Sequence, residues 1–150
     1  MEHPKDIGDV SILAITLVLR ALGYGLYIPY GENTRCDLVL ERDGFLDRVQ
    51  CKTGRLRKGA VTFAVCSSYA HHKSARYQQR SYHGEIDLFA VYCPETAAVY
   101  LVPITHLPVQ RRGSLRVEPP KNNQIERIRL AADYEVGRVP IEGLRVSSGA

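Results

Sequence analysis

The spacing of apolar residues near the start of the chain predicts a helix over residues 5–22. Apolar positions recur at helical intervals, at Ile7, Val10, Leu13 or Ala14, Leu17 and Ala21. Gly23 follows where a helix commonly ends. Short apolar or alternating segments then predict strands over 24–28, 36–41, 45–53, 60–66, 86–93 and 99–103, with an edge strand over 115–118 and a short last helix over 124–132. The chain therefore opens with one helix and continues mostly as strands.

The connections between these segments carry their own signals. Arg42-Asp43-Gly44 separates two of the strands, and Asp-Gly between alternating segments strongly predicts a hairpin. Residues 55–59 are basic and are expected to form a loop. The connection over 67–84 is long for a compact domain, and such loops are usually functional or disordered.

Length and composition limit the function classes only loosely. The 150 residues fit a single domain, expected over 1–136, with a flexible tail over 137–150. Lys and Arg number 20 against 16 Asp and Glu, a net charge of +4 that permits a nucleic-acid partner without requiring one. No segment has the length and apolarity of a membrane span, and the first residues lack a signal pattern, so we expect a cytoplasmic protein without a membrane partner.

The four cysteines lie far apart in or beside apolar segments and form no CxxC pair. They are therefore expected to be reduced, buried thiols, and a zinc site is disfavoured.

Candidate chemistry is concentrated in the predicted hairpin. Gln50 and Lys52 are two residues apart on one strand and so project from the same face, whereas Cys51 points into the core. If the Asp-Gly turn sets the register, Asp37 on the partner strand lies close to them. One interpretation is an exposed salt bridge between Asp37 and Lys52. The other is a site for Mg²⁺, which takes oxygen ligands and is usually held by one or two carboxylates.

In the metal-site interpretation, Gln50 supplies a neutral oxygen ligand. Lys52 orients or deprotonates a water, or neutralises charge in the transition state. Such a site needs a second acid, and Asp6 and Asp9 of the first helix are candidates. For Asp9, the alternative is a favourable interaction with the helix dipole.

The ordered set Gly8-Asp9, Cys36-Asp37 and Gln50-Cys51-Lys52, with the text GENTRCDLVLE and FLDRVQCKTGR, resembles the PD-(D/E)XK nuclease superfamily. More narrowly, it is similar to the small branch related to a cyanobacterial group I intron-encoded homing endonuclease, in which Gln also stands for the second acid. The resemblance covers about residues 5–103.

The resemblance implies an α/β (α+β) fold of the restriction-endonuclease type, in which helices flank a mixed β-sheet and a central hairpin is catalytic. Asp37, Gln50, the carbonyl of Cys51 and Asp9 would hold Mg²⁺ or Mn²⁺, and Lys52 would be the catalytic lysine. Cys36 stands where the family usually has Pro. Gln50 replaces an acid, which lowers the charge of the site.

Basic residues directly after the strand of Lys52, and others in the long connection over 67–84, are candidates for contacts with DNA phosphates if the two groups flank the metal site. They are Arg55, Arg57, Lys58, Lys73, Arg76 and Arg80. Because a duplex has two strands to cut, a small single-site nuclease is expected to act as a homodimer or homotetramer.

Three functional hypotheses follow from the sequence. The first is a metal-dependent DNA endonuclease acting on duplex or branched DNA, as a homing-type double-strand cutter or a Holliday-junction resolvase. The second is a nucleic-acid-binding module on the same fold that has weak or no catalysis. The third is an interaction protein in which Asp37 and Lys52 form an ordinary salt bridge. For Asp87, anchoring a turn or pairing with a loop arginine is favoured over a role in the site.

Overall fold

A computed structural model of the chain describes residues 3–31, 34–69, 78–107, 111–119 and 128–140. In this part of the chain one α-helix, α1, spans Pro4–Ala21. The strands are β1 Gly25–Tyr27, β2 Leu38–Arg42, β3 Phe45–Thr53, β4 Arg55–Arg57, β5 Ala60–Ala64, β6 Cys66–Tyr69, β7 Gln78–Ser81, β8 Leu88–Cys93, β9 Ala98–Pro103, β10 Arg112–Arg116 and β11 Glu135–Arg138, and two 3-10 turns span Ile104–His106 and Ala131–Asp133.

The main sheet has six strands in the order β1-β2-β3-β8-β9-β11. Only the central pair, β3 and β8, is parallel, so the sheet is mixed. All six residues of β8 are buried, as expected of a strand that is covered on both faces. The predicted fold class is confirmed, with one correction. In the described residues a single helix covers one face of the sheet, where the sequence predicted helices on its flanks.

A second sheet covers the other face of the main sheet in place of a helix. It has three strands in the order β10-β5-β4. Its inner residues, which include Phe63 and Leu115, pack on the face of the main sheet that carries Phe89, and the Phe63 and Phe89 rings lie 5.9 Å apart. On the opposite face, Ile15 and Leu19 of α1 pack in a separate apolar cluster. The main sheet thus lies between α1 and the second sheet.

The β2-β3 hairpin forms as the sequence predicts. Asp43 and Gly44 have φ values of 51° and 83°, which are the positive values that a two-residue type I′ turn requires. The turn sets a register that pairs Arg42 with Phe45 and Leu38 with Val49. This register decides which side chains of β3 face α1 and which face away.

The basic segment 55–59 is a strand followed by a turn, and the expectation of a loop is wrong. β4 pairs with β5 through a second tight turn, in which Lys58 and Gly59 have φ values of 50° and 77°. Gly54 joins β3 to β4 at a point where a Cβ atom would lie 2.7 Å from Val61 and 2.8 Å from Val91. Glycine is therefore needed where the chain passes from one sheet to the other.

The remaining expectations need smaller corrections. β6 and β7 pair within the segment predicted as a long loop. Of the helix predicted over 124–132, residues 124–127 lie outside the described part and residues 131–132 belong to a 3-10 turn. Residues 128–130 lie beside β10, where Arg116 N–H donates to the carbonyl of Arg129. β11 includes Gly137 and Arg138, where the tail was expected to begin, and Gly137 lacks the Cβ that would approach Val18. The division into a domain and a tail stays a prediction, and residues 141–150 lie outside the described part.

Candidate active site

The strand β3 presents two polar side chains on the face of the sheet that does not carry α1. Cys51 is 8% exposed and belongs to the apolar cluster under α1. Because side chains alternate along a strand, Gln50 and Lys52 project from the opposite face, and both are half-buried. The sequence prediction for these three residues agrees with this arrangement.

Asp37 lies directly before β2, and its backbone and its side chain both bind β3. Its N–H donates to the carbonyl of Val49 at 2.7 Å, and its Oδ2 accepts a hydrogen bond from the N–H of Cys51 at 2.8 Å. Burial raises the pKa of the Asp37 carboxyl, against the opposing effects of the Cys51 N–H and the Lys52 charge. A half-buried carboxylate is therefore fixed beside the strand segment that carries Gln50 and Lys52.

The ammonium of Lys52 is bound by Tyr82. Lys52 Nζ donates to the Tyr82 hydroxyl at 3.3 Å and lies 4.8 Å from the centre of its ring. Five ion pairs form among the described residues, and none of them joins Asp37 to Lys52. The salt-bridge interpretation of this patch is therefore not supported by the contacts.

Tyr82 is itself firmly held. It is 5% exposed, and its ring packs edge-on against Phe89 with 5.6 Å between centroids. The guanidinium of Arg35 lies 3.9 Å from the ring centroid, and Arg35 Nε pairs with Glu85 Oε2 at 2.5 Å. The Tyr82 ring thus contacts two cations, one from the segment before Asp37 and one from β3.

The oxygen donors of this patch match the chemistry of a hard divalent cation. Asp37 offers a carboxylate, Gln50 an amide oxygen and Cys51 a backbone carbonyl. Among the described residues, Oδ2 is the Asp37 oxygen that takes part in a hydrogen bond, so the second oxygen remains for a ligand. No cluster of three or more His, Cys, Asp or Glu that could hold a metal occurs in the described chain. Such a donor set fits Mg²⁺, which keeps several waters and binds substrate phosphate.

Asp9 is not brought to this patch. Ser11, two residues later, is 2% exposed and shares a 2.5 Å hydrogen bond with Thr53 at the end of β3. Two helical positions correspond to a rotation of about 200°, so Asp9, which is exposed, faces away from the sheet. The expected role of Asp9 as a metal ligand has no support in this geometry. Asp6, which is also exposed, is the acid of the first helical turn, and His3 caps the helix.

The predicted phosphate contacts have different surroundings. Arg55 pairs with Glu95 at 3.2 Å, whereas Arg57 and Lys58 are exposed at the β4-β5 turn. Arg80 lies in β7, and Lys73 and Arg76 lie outside the described residues.

The second sheet adds two arginines, Arg112 and Arg116, which the sequence analysis missed, to the predicted Arg55 and Arg57. Arg57 and Arg116 both pair with Ala60, and Arg112 pairs with Ala64, on the face opposite the buried Val61. Arg55 lies on the same face, beside Thr62. The outer face of the second sheet is therefore an arginine surface, formed by Arg55, Arg57, Arg112 and Arg116.

Asp87 has a structural role, as the sequence analysis favoured, but its partner is Arg48 of strand β3 and not a loop arginine. Its oxygens accept from the Arg48 backbone N–H at 2.7 Å and from two guanidinium nitrogens at 3.2 Å. The Arg48 hydrogen bonds lower the pKa of Asp87 below its usual range, and its modest burial opposes them. The pair joins the start of β8 to β3.

The cysteines and two further tyrosines belong to the structural framework. All four cysteines are free thiols, but only Cys51 and Cys93 are buried as expected, and burial raises the pKa of both. Cys36 and Cys66 are partly buried against the apolar cluster between the two sheets. The Tyr92 hydroxyl donates to the Val139 carbonyl at 2.7 Å, and the Tyr100 hydroxyl lies 2.9 Å from Thr96 Oγ1. Both tyrosines are buried, as packing residues are expected to be.

Within the described residues, no helix is long and apolar enough to cross a membrane.

The sequence analysis missed the residues that surround Lys52 and fill the helix interface. The sequence analysis gave Tyr82 and Glu85 no role, and it included Arg35 only as one letter of the text GENTRCDLVLE. Their separation along the chain, with Arg35 and Glu85 fifty positions apart, left no local signal. Ser11 is the polar residue on the buried face of α1, and the helical period could have identified it.

Comparison with known proteins agrees with this architecture. No curated protein sequence matches the chain. A solved structure entitled "The structure of a bacterial homing endonuclease: I-Ssp6803I" matches with a TM-score of 0.73 and 18% identity, covering 99% of this chain and 96% of that one. Residues 2–137 match the profile of a family described as PD-(D/E)XK endonuclease. The proteins of this family generally use divalent metal ions. With most of its length matched by that profile, the chain belongs to the PD-(D/E)XK endonuclease family.

Proposed function

We propose that the protein is a DNA endonuclease that hydrolyses phosphodiester bonds with Mg²⁺ or Mn²⁺. The observation that carries the proposal is the fixed position of the Asp37 carboxylate on the Cys51 N–H, beside the strand face of Gln50 and Lys52. The family and the homing-endonuclease fold support a nuclease. The preference for these ions rests on the hard oxygen donors.

In this proposal Asp37, Gln50 and the Cys51 carbonyl hold the ion. When bound, a divalent cation supplies Lewis-acid activation of the phosphate and of the attacking water. The Lys52 ammonium neutralises negative charge that develops on the phosphate oxygens as water adds and the bond to the leaving sugar oxygen breaks. Tyr82 holds the Lys52 side chain in position in advance, so the side chain loses little conformational entropy during the reaction.

The exposed members of the arginine surface, with Lys58, would contact the DNA backbone. Such contacts supply affinity without reading the sequence. Glu95 already neutralises part of the Arg55 charge, so Arg57 and Arg112, which are exposed, are the stronger candidates. A homodimer or homotetramer would supply the two sites that a double-strand cut needs.

A nucleic-acid-binding module without efficient catalysis is the second candidate. Gln50 favours it, because a neutral ligand gives the site less negative charge than an acid and should weaken cation binding. The arginine surface does not depend on the metal site and would bind DNA in either case.

Cleavage of three DNA substrates tests these alternatives. The purified protein would be incubated with supercoiled plasmid, linear duplex and a four-way junction, in Mg²⁺, in Mn²⁺ or in EDTA. The Asp37→Ala and Lys52→Ala variants should lose metal-dependent cutting. Asp47→Ala is the matched control. Asp47 lies on β3, as Lys52 does, but it pairs with Arg42 away from the site.

Each result selects one of the hypotheses. Cutting that EDTA and both site variants abolish supports the endonuclease, and the preferred substrate separates double-strand cutting from junction resolution. Salt-sensitive binding without cutting favours the binding module. If neither binding nor cutting of any substrate occurs, both proposals are wrong.

A further inference from the structure

The exposed side of α1 carries an apolar stripe that no part of the described chain covers. Val10, Leu13 and Leu17 are 40%, 68% and 59% exposed. They follow each other at intervals of three and four residues and therefore form one line along the helix. The core face of α1 is a different one, because Ala14, Ile15, Val18 and Leu19 are the residues that pack on the sheet.

An exposed line of apolar side chains is unfavourable in water unless a partner covers it. The pattern is also that of a helix that pairs with another helix, since positions 10, 13 and 17 match the a, d and a positions of a heptad. The charges at the two ends of the stripe identify the kind of partner.

Asp6 and Arg20 lie at opposite ends of the stripe, each seven residues from Leu13, and both are exposed. In an antiparallel pair of α1 helices related by a twofold axis near Leu13, Asp6 of each chain faces Arg20 of the other. A parallel pair would bring like charges together. We propose that the stripe is a self-association surface, on which α1 of a second copy of this chain packs antiparallel.

This surface specifies an interface for the assembly proposed above, and it leaves both sites open. α1 covers the face of the sheet that carries Cys51, whereas Gln50 and Lys52 project from the opposite face. Two chains joined through α1 therefore present their sites on the outer sides of the pair, and each site reaches its own stretch of DNA. Simultaneous attack on both strands of one duplex would require a second interface, as in a tetramer.

The mass of the protein in solution tests the proposal without DNA. Sedimentation of the wild-type chain should give a dimer or tetramer, and L13E/L17E should have half the wild-type mass. The control is Tyr30→Glu, which removes a fully exposed aromatic residue outside α1 and should keep the mass. Because Leu13 and Leu17 do not belong to the core, the variants should keep the wild-type circular dichroism spectrum.

Charge reversal tests the antiparallel arrangement. D6R and R20D should each shift the equilibrium toward the smaller species, and the double variant D6R/R20D should restore it, because the exchanged charges attract again. A wild-type monomer, an unchanged mass for L13E/L17E, or a double variant as weak as the single ones would overturn the proposal. These results do not depend on whether the protein cuts DNA. Nicking by L13E/L17E, measured separately, reports on the endonuclease itself.

Discussion

Lys52 and Tyr82 form the contact that connects the hairpin to the rest of the site. The ammonium donates to the tyrosine hydroxyl at 3.3 Å and also lies 4.8 Å from the ring centroid. Phe89 and Arg35 also contact this ring, so its position is determined by packing as well as by the lysine. Tyr82 is therefore a positioning residue for Lys52, although it lies thirty residues further along the chain.

Tyr82→Phe should slow DNA cleavage while leaving DNA affinity unchanged. The variant keeps the ring that packs on Phe89 and removes only the hydroxyl that accepts from Lys52. A hydrogen bond to a charged group contributes about 1.5–3 kcal/mol, so the single-turnover rate should fall about tenfold or more. The loss of rate should be smaller than that of Lys52→Ala, because Tyr82 acts on the reaction only through the lysine that it positions.

Tyr92→Phe is the matched control for this experiment. It also removes a buried tyrosine hydroxyl with a hydrogen bond, but Tyr92 belongs to the cluster on the α1 side of the sheet. It should lower stability without changing the cleavage rate. Equal loss of rate in both phenylalanine variants would mean that Tyr82 acts only through general stability.

Asp37→Asn should stabilise the fold at neutral pH. Burial raises the pKa of Asp37 in the folded protein, so the folded state binds a proton more tightly than the unfolded chain. Stability therefore falls as the pH rises from the ordinary pKa of an aspartate through the raised value. Asparagine keeps an oxygen for the Cys51 N–H and carries no charge, so this loss should disappear.

Urea unfolding at a series of pH values measures this difference. The wild type and Asp37→Asn should have similar midpoints below the ordinary aspartate pKa and should separate as the pH rises. Asp47→Asn should show no such gain, because Asp47 forms a partly exposed pair with Arg42. A less stable Asp37→Asn variant at neutral pH would show that the Cys51 and Lys52 interactions outweigh the burial of the charge.

Divalent cations should stabilise the wild-type protein and not Asp37→Asn. A ligand that binds only the folded state raises the free energy of unfolding by about 2.7 kcal/mol at a hundred times its dissociation constant. Thermal unfolding in increasing Mg²⁺ or Mn²⁺ should therefore show a rising midpoint, reversed by EDTA. Asp47→Asn is the control and should show the wild-type rise in midpoint. If the midpoint of Asp37→Asn rises as much, the ions bind elsewhere.

The hairpin part of the site could be predicted because its determinants are local. The Asp43-Gly44 turn fixes the register, and alternation along β3 then places Gln50 and Lys52 on one face. Nothing local indicates that Tyr82 returns to Lys52, since that contact depends on how β8 pairs with β3. The same pairing brings Asp87 to Arg48.

The helix and the second sheet show where periodicity and composition mislead. The apolar residues that predicted the helix include Val10 and Leu17, which are exposed, and the core face is formed by other residues such as Ile15 and Leu19. With two apolar faces, the helical period alone does not decide which one is buried. The expected role of Asp9 came from the resemblance and not from this period, and it stays a prediction. The segment RLRKG was expected to be a loop because it is basic, although Lys58-Gly59 is a tight turn between paired strands.

Arg57→Ala and Arg112→Ala should each weaken binding to duplex DNA of any sequence. Both residues are exposed on the outer face of the second sheet, and Arg112 is held near Thr62 by a 3.4 Å hydrogen bond. Loss of one phosphate contact should reduce the slope of log affinity against log salt concentration by about 1. Arg138→Ala is the control, because Arg138 lies on β11 at the edge of the main sheet and pairs with Glu135. If the slope changes only for Arg138→Ala, the DNA binds near β11 and not on the second sheet.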